Sequence, residues 1–177
     1  NTFSEVDVPF SSILKDAMLK GFTEPDPRED LSGNDVGRKL LILARELDLH
    51  NEFSDIHIDN LIPKRLQEGD VDFFLEHLEV LDVKFNEIKK NQKPNHVLRY
   101  VGDLHGNLQK EKGVLDVKLI SVPKESALGQ VKGSDSIIEI YTESYGENPL
   151  VIQGAGAGAA VTARGVFGDI LRIAEKG

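Results

Sequence analysis

Cysteine is absent from this chain of 177 residues, and its absence excludes disulfide bonds, thiolate metal ligands and a cysteine nucleophile. Long apolar segments are also missing. No run of about 18 apolar residues predicts a transmembrane helix, and the first residues lack the pattern of a signal peptide. The five histidines show no spacing typical of metal ligands, so we expect no metal site. Together these absences predict a cytoplasmic protein.

Positive charge is the next scarce property, with 21 basic against 30 acidic side chains and a net charge of -9. Nucleic acids and anionic membranes both attract proteins with a basic face, and we therefore expect neither as the main partner. The hydrophobic content of 40 % and the charged content of 29 % are typical of a globular domain with its own core. The chain opens with Asn1 and has a single methionine, Met18, from which we expect a fragment of a longer protein.

The periodicity of apolar residues predicts an α+β fold, in which a four- or five-stranded mixed or antiparallel sheet is covered by helices on one face. Helical spacing is found in residues 10–20, in one long segment over 68–91 and again near the C-terminus. Pro25 and Pro27 should keep residues 22–31 out of helix. Alternating or continuously apolar segments predict the strands, namely DIHIDN, HVLRYVGDL, GVLDVKLISV, SIIEIYTES and NPLVIQG.

Fixed charges are concentrated in the segment GFTEPDPREDLSGNDVGRK. Ser32 and Asp35 have the S-x-x-D spacing of a helix capping box, and Lys39 follows Asp35 by four residues, so that both side chains share one helix face. One interpretation is a cap with an exposed ion pair, which contributes only a few tenths of a kcal/mol. The other is a binding corner, to which the proline-rich loop brings Glu24 and Asp30. Residue chemistry alone favours the cap and leaves the binding corner open.

Two further segments have residues suited to ligand binding. GAGAGAAVT lets a backbone approach a ligand just before a helix N-terminus. It lacks the G-x-G-x-x-G arrangement of a dinucleotide fingerprint, and a close crossing of a strand and a helix explains it nearly as well. The loop SVPKESALGQVKGSD contains Lys124, Lys132, Ser134 and Asp135, and a solvated connection with one helical turn is the favoured interpretation.

The stretch from Ala17 to Lys39 resembles the signature of homoserine dehydrogenase. In that family an alanine, a Gly-aromatic-Thr, a D-P, a D-L-x-G-x-D and a lysine follow at fixed spacing. The matching positions here are Ala17, Gly21, Phe22, Thr23, Asp26, Pro27, Asp30, Leu31, Gly33, Asp35 and Lys39. The closing PLVIQGAGAGAAVTARGVFGDILRIA is similar to the family's last segment, so the resemblance covers essentially the whole chain. EGDVDFF and LRYVGDL look more like the versions fused behind an aspartokinase.

The resemblance implies an oxidoreductase that interconverts L-aspartate 4-semialdehyde and L-homoserine with NAD or NADP, in threonine and methionine biosynthesis. Glu24 and Asp35 match residues that hold the amino-acid substrate, and Asp30 matches a further carboxylate on the substrate side. Lys39 matches the lysine proposed as the catalytic acid/base, which protonates the new alkoxide with Asp35 beside it. The resemblance therefore favours the binding corner, although Asp35 can cap a helix and bind substrate at once.

The resemblance also implies how the chain is organised. Residues 1–158 match the substrate-binding and dimerisation domain, and residues 159–177 match a helix that packs on the nucleotide-binding half. That half is a Rossmann domain that binds most of the cofactor, and it lies upstream of this sequence together with the family's sodium-binding loop. Gly21 and Gly158 match backbone positions that approach the nicotinamide cofactor, and Thr162 is a weaker candidate for the same contact.

Three expectations about activity and partners follow from this organisation. The chain alone should show no dehydrogenase activity and no measurable cofactor affinity. A homodimer through the sheet is expected, because open strands would leave unprotected edges or an apolar face in a monomer, and an aspartokinase domain is expected upstream. The alternative function is a non-catalytic amino-acid-binding or regulatory module, which would need the carboxylates but would have no need of Lys39.

Overall fold

The computed structural model describes residues 2–133, 135–156 and 159–175. Within these ranges the α-helices are α1 (Phe10–Leu19), α2 (Arg28–Ser32), α3 (Asn34–Glu46), α4 (Val71–Glu76), α5 (Glu79–Lys90), α6 (Ala127–Gln130) and α7 (Ala159–Glu175). The strands are β1 (His57–Ile58), β2 (His96–His105), β3 (Val114–Pro123), β4 (Asp135–Ile140) and β5 (Leu150–Ala155). The predicted α+β class is confirmed.

The strands of the described residues form two small sheets. In the first, β3 lies between β1, which runs parallel to it, and β2, which pairs with it antiparallel over the whole length of both strands. In the second, β4 and β5 form an antiparallel pair. The number of strands agrees with the prediction, while their division between two sheets differs from the single sheet expected. Periodicity identifies a strand, but only tertiary packing decides which strand lies beside it.

The core lies on one face of the three-stranded sheet and under the helices beside it. Leu40, Leu41 and Ala44 of α3 pack against Leu115 and Val117 of β3. A second buried cluster joins α1, α4 and α5 and consists of Phe3, Leu14, Leu31, Leu61, Ile62, Leu66, Phe74, Leu78, Leu81, Phe85 and Leu98. Apolar burial of this kind is the main force that holds α2 and α3 in place.

The chain enters a helix sooner than the prolines predict. Helix α2 begins at Arg28, directly after Pro27, so the prediction for residues 22–31 is wrong over this helix. Proline is tolerated where a helix begins, because the first helical N–H groups have no intrahelical acceptor in any case. Gly33 then separates α2 from α3 with a φ of +82°, a left-handed conformation that favours glycine.

The predicted capping box at the start of α3 is wrong. The Ser32 hydroxyl donates to the carbonyl of Glu29 at 3.0 Å and accepts from the N–H of Asn34 at 3.3 Å. Ser32 is the last residue of α2 rather than the first cap of α3, so its side chain serves the end of one helix and the turn into the next. Asp35 lies in the first turn of α3.

The long helix predicted over 68–91 is divided into α4 and α5. The N–H of Phe73 donates to the side chain of Asp70 at 2.8 Å, which caps α4. His77, with φ of -118° and ψ of 25°, ends α4. Phe74 before the break and Leu78 after it are both buried, so core packing decides where each helix ends.

Apolar side chains of β4, β5 and α7 remain exposed. The set comprises Ile138, Ile140, Leu150, Val151, Ile152, Val161, Val166, Phe167, Ile170, Leu171 and Ile173. Helix α7 has the amphipathic pattern expected of it, yet its apolar side lies open. In the ranges that the structure describes, no helix has the length and apolar character needed to cross a membrane.

Candidate active site

The segment GFTEPDPREDLSGNDVGRK folds into a loop followed by α2 and α3. Gly21 leaves α1 with a φ of +68°, in the left-handed region that suits glycine. Leu31 of α2 and Leu40 of α3 are buried and fix both helices on the core. Most of the charged residues between and around them are exposed. The apolar residues therefore anchor the segment and leave its charges facing solvent.

Asp26 and Arg28 form a bidentate ion pair where the loop meets α2. The Nε of Arg28 lies 3.0 Å from each carboxylate oxygen of Asp26, and Nη2 lies 2.7 Å from Oδ2. The side-chain hydrogen bonds from Arg28 lower the pKa of Asp26, and those to Asp26 raise the pKa of Arg28. The sequence-based interpretation missed this pair, although its signal was available in an aspartate and an arginine two residues apart, flanking a proline.

A second hydrogen bond closes the same loop. The backbone N–H of Glu24 donates to Oδ2 of Asp30 at 2.9 Å, so Asp30 reaches back across the turn to the residue at its start. Both side chains are exposed. The structure thus brings together Glu24 and Asp30, two of the residues that the resemblance places around the substrate.

Asp35 and Lys39 form the ion pair expected from their spacing. The Nζ of Lys39 lies 2.8 Å from Oδ2 of Asp35, one turn earlier on α3. A neighbouring contact, 3.7 Å between Nη2 of Arg38 and Oε2 of Glu29, links α3 to α2. The outer side of the two helices therefore presents an ammonium group and several carboxylates within one short stretch of chain.

The turn between α2 and α3 rests on a tyrosine of the sheet. The hydroxyl of Tyr100 donates to the carbonyl of Asp59 at 2.8 Å, and burial raises the pKa of Tyr100 to about 12. A Cβ added at Gly33 would collide with the Tyr100 hydroxyl and would lie 2.8 Å from Cγ2 of Ile58. Gly33 is thus needed for both its φ and its lack of a side chain, and sequence reasoning did not identify Tyr100 as its neighbour.

Two of the three residues expected near a cofactor lie in the described part of the chain. Gly158 lies outside the described residues. Gly21 is exposed, and a Cβ at that position would meet no atom within 4 Å. Thr162 lies exposed in the first turn of α7.

A separate polar cluster lies on the other face of the three-stranded sheet. The side-chain atoms of Asp103, His105 and Asp116 that could coordinate a metal ion lie within 4.8 Å of one another. The ammonium of Lys118 lies 2.8 Å from Oδ2 of Asp103 and 3.4 Å from Oδ2 of Asp116, and its hydrogen bonds to these carboxylates raise its pKa. The cluster is an ion-pair network that pairs neighbouring strands, which a search for histidine spacing along the chain could not detect.

An open cavity of about 620 Å³ lies beside α5, and no residue of the charged segment lines it. Lys84 enters it and donates to the carbonyls of Asn60 and Leu61 at 3.1 and 3.0 Å. Burial lowers the pKa of Lys84. Because the ammonium is bonded to backbone carbonyls, its role in this cavity is to hold the chain between β1 and α4 against α5.

Comparisons with known proteins agree with the family resemblance. The family model described as homoserine dehydrogenase matches residues 1–171. A bifunctional aspartokinase/homoserine dehydrogenase of Arabidopsis thaliana is 42 % identical over 167 residues, which cover 93 % of this chain and 18 % of that protein. A homoserine dehydrogenase of Paracoccidioides brasiliensis is 41 % identical over 172 residues, which cover 94 % of this chain and 45 % of that protein.

A solved structure shares the architecture as well. A Candida auris protein of unknown function is 38 % identical and superposes with a TM-score of 0.79, covering 98 % of this chain and 48 % of that one. The chain thus spans less than half the length of each of these three relatives. The resemblance inferred from the charged segment and the C-terminal segment is confirmed: the chain belongs to the homoserine dehydrogenase family.

Proposed function

We propose that the complete protein interconverts L-aspartate 4-semialdehyde and L-homoserine, and that this chain supplies the residues that bind the amino acid and transfer the proton. The observation that carries the proposal is the ammonium of Lys39, held at 2.8 Å from Asp35 on the helix that follows the corner formed by Glu24 and Asp30. Membership of the homoserine dehydrogenase family supports it.

Substrate binding is the role of the carboxylates. Both amino acids carry an α-ammonium group, which donates up to three charge-assisted hydrogen bonds and is held most strongly by carboxylate oxygens. Glu24 and Asp35 hold this ammonium and its neighbouring groups, and Asp30 is a further carboxylate on the substrate side. Asp30 also orients the backbone of Glu24 through their 2.9 Å hydrogen bond.

Proton transfer is the role of Lys39. Reduction of the aldehyde places negative charge on its oxygen, and a nearby ammonium both stabilises that charge and donates the proton. In the reverse direction the neutral amine of Lys39 accepts the hydroxyl proton of homoserine. Asp35 keeps the lysine side chain in position through their contact on α3, which is why we assign Asp35 to catalysis as well as to binding.

The hydride belongs to a cofactor, NAD or NADP, which we propose is bound mainly by a nucleotide-binding half outside this chain. When bound, the nicotinamide supplies or accepts the hydride at the substrate carbon. The family resemblance proposes that Gly21 and Gly158 would approach it, with Thr162 as a weaker candidate, although Gly158 lies outside the described residues. The open space around Gly21 supports this assignment.

The partners that we propose for this chain also come from its family resemblance. We propose a homodimer formed through the sheet by residues 1–158, because β4 and β5 expose apolar side chains that water solvates poorly. We propose that residues 159–177 pack on the nucleotide-binding half. This contact would cover the exposed apolar side of α7. An aspartokinase domain on the same polypeptide is a further proposal, supported by the bifunctional Arabidopsis relative.

The proposal is tested by Lys39→Ala in the complete protein, with homoserine-dependent reduction of NAD and of NADP as the measurement. Loss of the proton-transfer group should lower kcat by about 100-fold or more, while the dissociation constant for homoserine stays within a few-fold. Lys20→Ala is the matched control, because Lys20 forms the same i,i+4 pair with Asp16, at 2.6 Å and on an exposed helix surface. Its kcat should remain unchanged.

The alternative, a non-catalytic amino-acid-binding module, predicts a different result. Homoserine would then bind through the carboxylates without reduction of NAD or NADP, and Lys39→Ala would leave its dissociation constant unchanged. A complete protein that binds homoserine but produces no NAD(P)H would establish this alternative and overturn the dehydrogenase proposal.

A further inference from the structure

Arg28 connects the candidate substrate loop to the interior of the domain. Only 15 % of its side chain is exposed, and its guanidinium forks onto Asp26 with contacts of 2.7 to 3.0 Å. The remaining nitrogen, Nη1, donates to the carbonyl of Gly69 at 2.9 Å. The guanidinium carbon also lies 5.8 Å from the ring centre of Phe74, within the range of a cation–π contact.

The turn at Gly69, to which Arg28 binds, is held in place by its neighbours. Gly69 has a φ of +88° and directly precedes Asp70, whose side chain caps α4. Phe74 on that helix is completely buried. Arg28 therefore binds a turn that is set by a helix cap and by the core, 41 residues further along the chain.

The near end carries the residues proposed to bind substrate. Asp26 lies two residues after Glu24, and Arg28 lies two residues before Asp30, with only one residue between Asp26 and Arg28 themselves. The N–H of Glu24 donates to the carboxylate of Asp30. A shift of the Asp26–Arg28 pair would therefore displace both Glu24 and Asp30, which have exposed side chains and little packing of their own.

We propose that Arg28, together with Asp26, is a positioning residue that sets the spacing of Glu24 and Asp30 for the amino-acid substrate. The proposal rests on the dehydrogenase function proposed above. Arginine is required at this position because one rigid planar group bonds a carboxylate bidentately and a carbonyl in another direction at once. A lysine keeps the charge but offers a single nitrogen, so it cannot hold Asp26 and Gly69 in the same geometry.

The test is Arg28→Lys in the complete protein, with steady-state kinetics for homoserine and for the cofactor. Displaced carboxylates should raise KM for homoserine about tenfold or more, while KM for the cofactor stays unchanged. A purely structural defect would lower kcat through loss of folded enzyme and leave KM for homoserine as it was. That result, or wild-type kinetics, would overturn the proposal.

Two further variants test whether the effect is specific to the guanidinium group of Arg28. Arg45→Lys is the matched control, because Arg45 also pairs with a loop carboxylate, Glu52 at 3.3 Å, but has 56 % of its side chain exposed. It should leave both KM values unchanged. In Arg28→Ala, guanidinium ion at concentrations far below those that unfold proteins should partly restore KM for homoserine, and absence of any restoration would count against a specific guanidinium role.

A readout independent of activity separates this proposal from the function on which it rests. The Glu24 amide hydrogen should exchange about tenfold faster in Arg28→Lys than in the wild-type and Arg45→Lys proteins, because the 2.9 Å bond to Asp30 would open more often. A wild-type protein without homoserine turnover would overturn the dehydrogenase function alone. Unchanged exchange at Glu24 would overturn the positioning role, whatever the enzyme's substrate.

Discussion

The Nζ of Lys39 lies 2.8 Å from Oδ2 of Asp35, with 72 % and 51 % of the two side chains exposed. Ion pairs this open to water contribute little to folding, since solvent screens the attraction and ordering two long side chains costs entropy. Helix α3 is instead held by its buried residues Leu40, Leu41 and Ala44. The pair is thus accessible to a ligand and can be altered without loss of the fold.

Lys39→Ala should therefore change the free energy of unfolding by less than about 0.5 kcal/mol. Urea unfolding followed by circular dichroism would measure this difference, with Lys20→Ala as the control of equal geometry. A loss above about 1 kcal/mol would mean that Lys39 supports the fold. In that case its effect on kcat could no longer be assigned to proton transfer alone.

Gly33→Ala should be clearly more destabilising than Gly21→Ala. Both glycines have a positive φ, +82° and +68°, so both substitutions carry a backbone penalty of about 1 kcal/mol. Only the new Cβ at Gly33 would also collide with the Tyr100 hydroxyl, whereas Gly21 has no neighbour within 4 Å. Urea unfolding should separate the two variants by at least about 1 kcal/mol, and equal losses would show that the contact with Tyr100 relaxes without cost.

Tyr100→Phe should reduce the loss of stability at alkaline pH. An unfolded tyrosine titrates near pH ~10, while burial raises the pKa of Tyr100 to about 12 in the folded protein. Between these values the unfolded chain releases a proton that the folded chain retains, so the free energy of unfolding falls as pH rises.

The measurement is urea unfolding of both proteins from pH 8 to pH 12. At pH 8 the variant should be less stable by about 1 kcal/mol, because the bond from Tyr100 to the Asp59 carbonyl is lost. Because the wild type loses about 2 kcal/mol over this titration, the gap should close above pH ~10 and reverse before about pH 12. If the free energies of unfolding of the two proteins differ by the same amount from pH 8 to pH 12, the titration assigned to Tyr100 is contradicted.

Arg99→Met should destabilise the domain by at least about 2 kcal/mol. Arg99 is 4 % exposed, and its guanidinium donates to the carbonyls of Leu98, Leu128, Gly129 and Val131 at 2.6 to 3.1 Å. These bonds tie α6 to β2, and methionine fills the volume but cannot donate. Thermal unfolding should show the loss, and Arg45→Met, at an exposed arginine, should stay within about 0.5 kcal/mol of wild type.

Elements that depend on local contacts were predictable from the sequence. The helical spacing of apolar residues in 10–20 predicted α1, and the apolar patterns of HVLRYVGDL and GVLDVKLISV predicted the strands β2 and β3. The break between α4 and α5 was not predictable, because both halves have apolar residues at helical spacing. Burial of Phe74 and Leu78 decides that break, and burial depends on partners distant in the chain.

The sequence by itself determined the family and the chemical groups of the candidate site, because the spacing of Gly21, Asp30, Asp35 and Lys39 is a property of the chain alone. Only the tertiary structure decided how that site is supported. Arg28 reaches Gly69, and Tyr100 reaches Asp59, each 41 residues away. Such contacts arise only when packing of the core brings distant backbone within reach of a side chain, and no local pattern of residues specifies which backbone that will be.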